Sequence, residues 1–366
     1  MRRPVASGSN VVVKVGSSSL TGPGGGLDDD AIANVVDQVA SLVSSGHPAV
    51  LVTSAAIAAG IPALGLTERP TAMADLQVAA AVGQSKLMER YSSLFGAHGI
   101  EVGQVLLTKD VLGTRGQYLN ARSALGRMLE LGVVPIVNEN DTVAVDEVKF
   151  GDNDRLAAIA SHLVGAGMLV LLTDTAGLFT DDPRLTEKAE LLTAVEHSDE
   201  ILDRIRTSSG RGAFGSGGVA TKVVAARMAA FSGVPTVIAS RRAPDAVARA
   251  VAGDDIGTWI DPRETPLAAR KLWIAFGLAS AGSITIDDGA ARAVTQSGKS
   301  LLAAGVTKVQ GTFVRGDALE VFDSEGTLCA KGIARVSSEG VSEKLGQHSS
   351  LVGGEVIHRD DLVVLV

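Results

Sequence analysis

Two architectures follow one another along the chain. The first is an α/β domain whose mostly parallel sheet is sandwiched by helices; the second is a small, mostly-β barrel domain. Three observations predict this. Short unbroken apolar runs alternate with longer segments of helical period, the mark of a parallel sheet covered on both faces. That alternation stops near "WIDPRETPLAARKLW" (259–273), and short strand-like pieces with Gly-containing turns take over. The 366 residues are 46% apolar and 20% charged, enough for two cores at about 100–200 residues per domain.

In order, strands are predicted at 11–15 ("VVVKV"), 49–53, 101–108, 133–137, 168–173 and 235–239. Helices are predicted near 30–45, 73–98, 118–131, 154–164, 219–232 and 244–252, where apolar residues recur at helical spacing. "TVAVDEVKF" (142–150) alternates instead, as a half-exposed hairpin at the domain edge does. The first domain is drawn at 1–262, a linker at 263–275, and the β domain at 276–366 with "GSITID", "GTLCAKGIARVS" and "DLVVLV". "TGPGGG" (21–26) is most simply a flexible loop.

Composition narrows the function. A net charge of −8 argues against nucleic-acid binding along the surface. Cys329 is the sole cysteine, so no intrachain disulfide forms and a reducing, cytoplasmic setting is expected. The apolar run Val11 to Val13 is too short for a signal-peptide core, and no run reaches the length of a membrane span.

Several motifs carry chemistry. In "VVVKVGSSSL", Lys14 near the end of a buried strand is costly unless its ammonium meets an anion. Gly16, Ser17, Ser18 and Ser19 can present N–H and hydroxyl groups to phosphate. The alternative is a lysine snorkelling to the sheet edge beside an ordinary turn. In "FGSGGVATKVVAARM" (214–228), glycines lead through Thr221 and Lys222 into a helix expected to be amphipathic. Such a loop suits an anion, and a flexible linker is the plain alternative. Its match to a dinucleotide fingerprint fails because no strand precedes it. "SGKS" (297–300) lacks the upstream glycine of a P-loop, since Ala293 stands there, and the six histidines show no metal-ligand spacing.

The remaining motifs are "TSAAIAAG" (53–60), "VNENDT" (137–142), "GDNDR" (151–155) and "LLTDTAGLFTDDPR" (171–184). Most follow predicted strands, and ligands in open α/β sheets bind at the carboxyl ends of strands. Ser54, Asn138, Asp141, Asn153, Asp154, Thr173 and Asp174 are therefore expected on one rim. A helix cap needs one polar residue, whereas Asp152, Asn153 and Asp154 offer three.

With these motifs in order over nearly the whole length, together with "AAAVGQSKL", "YLNAR" and "GSGGVATK", the chain resembles the amino acid kinase family. "NEND" followed by "GDND" resembles its glutamate-phosphorylating branch, and the C-terminal part resembles a PUA domain. The resemblance implies transfer of the ATP γ-phosphoryl group to the side-chain carboxylate of L-glutamate, with Mg²⁺ carried by ATP. It implies that Lys14 and Lys222 act on the phosphates and that Asp154 orients them. Ser54, Ala55, Asp141 and Asn153 then bind glutamate. Gly16, Ser17, Thr173, Asp174 and the run Gly215, Ser216, Gly217, Gly218, Val219, Ala220 and Thr221 form the nucleotide site, leaving Asp152 as the cap. The partners implied are L-proline as feedback inhibitor, a homo-oligomer (dimer or tetramer) and a glutamyl phosphate reductase, at the first step of proline biosynthesis.

Physical chemistry agrees with this cast. A glutamate carboxylate, with a pKa of about 4.3, is already ionised at neutral pH and needs no general base. The reaction needs charge neutralisation and in-line positioning. Two positions depart from the family pattern: Ala55 replaces the usual glycine of Ser-Gly-Ala, and Leu76 stands where a polar or basic residue is expected. An RNA-binding second domain is the rival class. Residues 267–366 hold 10 Lys/Arg and 11 Asp/Glu, a net of 10 − 11 = −1, without the clustered positive charge that RNA requires. Among enzymes, the runner-up is a related kinase acting on another small acid or on a nucleoside monophosphate.

Overall fold

A computed structural model describes residues 2–22, 25–143, 152–208, 218–343 and 354–366. The chain divides into two compact units, Met1–Pro266 and Leu267–Val366. Residues 267–275, read from sequence as linker, group with the second unit because Leu272 and Ile274 are fully buried there.

The first unit runs β1 (Val11–Val15), α1 (Asp29–Ser44), β2 (Ala49–Val52), α2 (Ala56–Ala63), α3 (Met73–Ala97), β3 (Val102–Leu107), α4 (Arg115–Glu130) and β4 (Val134–Glu139). It continues with α5 (Asp152–Val164), β5 (Met168–Thr173), β6 (Ala194–Val195), α6 (Glu200–Ser208), α7 (Gly218–Phe231), β7 (Thr236–Ser240), α8 (Ala246–Ala252) and β8 (Thr258–Ile260). The eight strands form one sheet in the order β3-β4-β2-β1-β5-β7-β8-β6. All neighbouring pairs are parallel except β7 with β8. β8 has only three residues, too few to show a strand pattern in sequence. Chain order reverses about β1, whose neighbours are β2 on one side and β5 on the other. That is a topological switch point, where the crevice at the carboxyl ends takes ligands. The described part of 142–150 is a turn at Thr142 and Val143; the rest of the expected hairpin lies outside the described residues.

Two helices differ from expectation. Residues 56–60 of the stretch 53–60, read as a rim loop, belong to α2 (Ala56–Ala63), although Ala55 stands at its N-cap and Gly60 and Pro62 lie inside. Packing decides there. A Cβ on Gly83 of α3 would lie 1.8 Å from the Ala56 carbonyl, so the helices touch backbone to backbone. Leu76 fills the same contact beside Ile57, Ala79 and Ala80. The expected amphipathic helix, α7, is instead buried around most of its circumference at Val223, Ala225, Ala226, Met228, Ala229, Ala230 and Phe231. It packs between α5 and α6, and its alanines allow the close approach.

The second unit contains α9 (Ala269–Leu272), β9 (Ser280–Ile286), α10 (Asp288–Thr295), β10 (Leu301–Leu302), β11 (Val306–Gly311), β12 (Ala318–Phe322), β13 (Leu328–Ala334), α11 (Ser338–Ser342) and β14 (Glu355–Val364). Its strands form one curled sheet, β10-β14-β13-β12-β9-β11, around Ile284, Phe313, Leu319, Val321 and Ile357. Among the described residues, no helix is long and apolar enough to cross a membrane.

Candidate active site

Lys14 is the fourth residue of β1 and only 3% exposed. The anion it meets belongs to the protein. Its Nζ lies 2.5 Å from Asp154 Oδ1. Asp154, 1% exposed, sits in the first turn of α5. Its Oδ2 accepts Thr221 Oγ1 at 2.7 Å and Lys222 Nζ at 3.3 Å. Lys222 Nζ also donates to the Gly218 carbonyl at 3.2 Å. Burial pushes the Asp154 carboxyl up, but Lys14 and Lys222 overcome it and hold the group below the usual carboxylate range. Burial lowers Lys14, opposed by Asp154 and reinforced by Lys222. Two cations around one anion leave one net positive charge, which suits a polyanion.

Beside this cluster lies a cavity of ≈ 610 Å³ reaching Gly16, Ser17, Thr173, Asp174, Gly218, Val219 and Thr221. Ala220 does not line it. Gly215, Ser216 and Gly217 lie outside the described residues, as does the Asp152 side chain. Asp174 accepts from Ser18 at 2.9 Å, Ser19 at 3.4 Å and Arg241 at 2.8 Å. Burial raises its carboxyl; the hydrogen bonds and charge of Arg241, with the serine donors, outweigh that and leave it low.

A second cavity, ≈ 690 Å³, is lined by Ser54, Ala55, Asn138, Glu139, Asp141 and Asn153, with Glu68 and Arg69 among its other walls. Ser17, Ser18, Ser54 and Asn153 line both cavities. The shared wall is a chain of neutral groups. Asn153 Nδ2 donates to Ser54 Oγ and to Asn138 Oδ1, both at 3.0 Å. Asn138 Nδ2 donates to Gln84 Oε1 at 2.8 Å. Asn153 Oδ1 is buried and accepts no hydrogen bond among the described residues, an unfilled place for a donor. Ala55 has φ 78° and ψ 12°, one of two non-glycine residues with positive φ among those described.

The expected rim residues therefore converge, with Lys14, Asp154 and Lys222 in direct contact. Sequence reading assigned no role to Gln84, Arg241 or Arg69. Gln84 and Arg241 reach the site through hydrogen bonds from distant segments; Gln84 lies in the motif "AAAVGQSKL" without a role of its own, and no local pattern marks Arg241. Asp141 lines the second cavity, as Asn153 does.

The fold resembles that of a solved UMP kinase from Bacillus anthracis, with TM-score 0.50 at 13% identity over 72% of this chain and all of that one. An α/β fold with two cavities meeting at the sheet's switch point is the class so defined. Residues 10–240 match the amino acid kinase family and residues 282–353 match the PUA domain. The chain belongs to the amino acid kinase family. It is 47% identical to a protein of Marinomonas sp. (strain MWYL1) and 45% identical to one of Pseudomonas entomophila (strain L48), each over the full length of both chains. It is 47% identical to one of Chromohalobacter salexigens over 97% of this chain and 96% of that one. All three are named glutamate 5-kinase.

Proposed function

We infer that the chain transfers the γ-phosphoryl group of ATP to the side-chain carboxylate of L-glutamate, giving L-glutamyl 5-phosphate at the first step of proline biosynthesis. The carrying observation is the pair of cavities that share Ser17, Ser18, Ser54 and Asn153, one of them beside two lysines held by a buried aspartate. ATP, with its Mg²⁺, takes the lysine-side cavity and glutamate the other. Lys14 and Lys222 neutralise charge on the transferring phosphoryl group, and Asp154 fixes their positions. Gly16, Ser17, Thr173, Asp174, Gly218, Val219 and Thr221 surround the nucleotide. Asn153 Oδ1 and Asp141 receive the ammonium group of glutamate, while Ser54 and the Ala55 backbone hold it beside the donor. The acceptor is already ionised at neutral pH, so no proton transfer precedes attack.

The test is ATP turnover with hydroxylamine trapping of the acyl phosphate. Hydroxamate should form with L-glutamate and not with aspartate, acetylglutamate or UMP. Equal turnover with one of those acceptors overturns the assignment. Proline is read as a competitor in the glutamate cavity through Asp141 and Asn153; equal inhibition of wild type and Asp141→Asn would count against it. A cytoplasmic homo-oligomer whose product passes to a reductase completes the reading.

A further inference from the structure

Arg241 lies one residue beyond β7 and lines neither cavity. It nonetheless ties three strand ends together. Its backbone N–H donates to the Thr173 carbonyl at 2.9 Å, at the end of β5. Its Nε donates to Asp174 Oδ1 at 2.8 Å. The same carboxylate accepts Ser18 and Ser19, from the turn that follows β1. Ser18 belongs to the wall common to both cavities, and Ser19 is 2% exposed. The carboxylate is thus occupied by three donors of the protein itself. The Ser17–Ser19 turn takes its place from the carboxylate, and the carboxylate takes its place from the guanidinium.

We propose that Arg241 is a positioning residue for the nucleotide side of the site, acting through Asp174 on the Ser17–Ser19 turn. The proposal rests on the reading of the lysine-side cavity as the ATP site. An arginine suits the task because its planar guanidinium presents the Nε–H to Asp174 Oδ1 in a fixed direction, which a flexible ammonium does less well. Without it, Asp174, whose side chain is 43% exposed, turns to water and the two serines lose their acceptor. An ion pair of this exposure adds little to folding, so the effect falls on nucleotide binding.

The experiment uses the full chain with Arg241→Gln, Arg241→Lys, Ser18→Ala and the Arg241→Gln/Ser18→Ala double variant. ADP binding with Mg²⁺ is measured by calorimetry, and kinetics with ATP and glutamate are run alongside. Arg241→Gln should raise the Kd for ADP and the KM for ATP about fivefold, with kcat within about twofold and Tm nearly unchanged. Arg241→Lys should recover part of the loss, as should dilute guanidinium ion added to Arg241→Gln. Ser18→Ala should add little on top of Arg241→Gln, since both act on one carboxylate. Wild-type Kd and KM in Arg241→Gln overturn the proposal, and so does full additivity with Ser18→Ala. A wild-type chain that binds no ADP overturns the ATP reading itself, a separately visible failure.

Discussion

The two cavities meet at four residues yet are built from different materials. The lysine side uses formal charges, Lys14, Asp154 and Lys222, each nearly or largely buried. The other side sets a chain of neutral dipoles, from Ser54 through Asn153 and Asn138 to Gln84, among walls that carry charges of both signs at Glu68, Arg69, Glu139 and Asp141. The difference follows from the ligands proposed. A phosphate chain carries several negative charges, so surplus positive charge must be in place beforehand, and an internal anion keeps the lysines folded inward. Glutamate carries both signs, and a cavity of amides with single charges of either sign can receive it without surplus charge of one kind.

The largest break in this contrast should come from Asp154→Asn. Leaving two lysines without their anion should lower kcat about 10²–10³-fold and destabilise the fold by about 3–5 kcal/mol, read by turnover and urea denaturation. Retained activity would show that the lysines need no organiser. Lys14→Met comes next, with a fall in kcat of about 10²-fold or more and little change in the KM for glutamate. On the amide side, Asn153→Ala should raise the KM for glutamate about 10- to 100-fold, the worth of hydrogen bonds to a charged group. The KM for ATP should hold within about twofold; equal effects on both substrates would erase the division of labour.

A pH titration sharpens the same contrast. Burial lowers Lys14, so its ammonium deprotonates earlier than an exposed lysine does. The alkaline limb of kcat/KM for ATP should therefore fall with a midpoint below 10.5. Full activity through that pH would contradict the role given to the lysine. The smallest effect is expected at Ala55→Gly. Relief of about 1–2 kcal/mol of left-handed strain is offset by a lost buried methyl and by glycine's chain entropy, leaving stability nearly unchanged. The KM for glutamate should drop by a small factor, and an unchanged value would remove Ala55 from the binding account.

The fold class was legible because β1, β2 and β5 are buried on both faces and read as unbroken apolar runs. Lys14 stood out as a charge inside such a run, and Asp154 as one polar residue too many for a cap. Ala55 was visible as a departure at a place where a glycine can serve a positive φ, and its φ is 78°. The missed features are those set by tertiary contact. α2 has no cap and a poor composition for a helix, and it exists because α3 receives it. Gln84 and Arg241 gain their meaning from partners 54 and 67 residues away.

The contact of α2 with α3 has one further consequence. A Cβ at Gly60 would meet the Ala79 carbonyl at 1.9 Å, and one at Gly83 the Ala56 carbonyl at 1.8 Å. With no slack between the two backbones, α2 cannot retreat, and the turn at Ala55 cannot relax by moving it. The cavity lined by Ser54 and Ala55 therefore has an anvil on this side. Any tightening around a small acceptor must be delivered by the cavity's other lining segments, among them Thr67, Glu68 and Arg69.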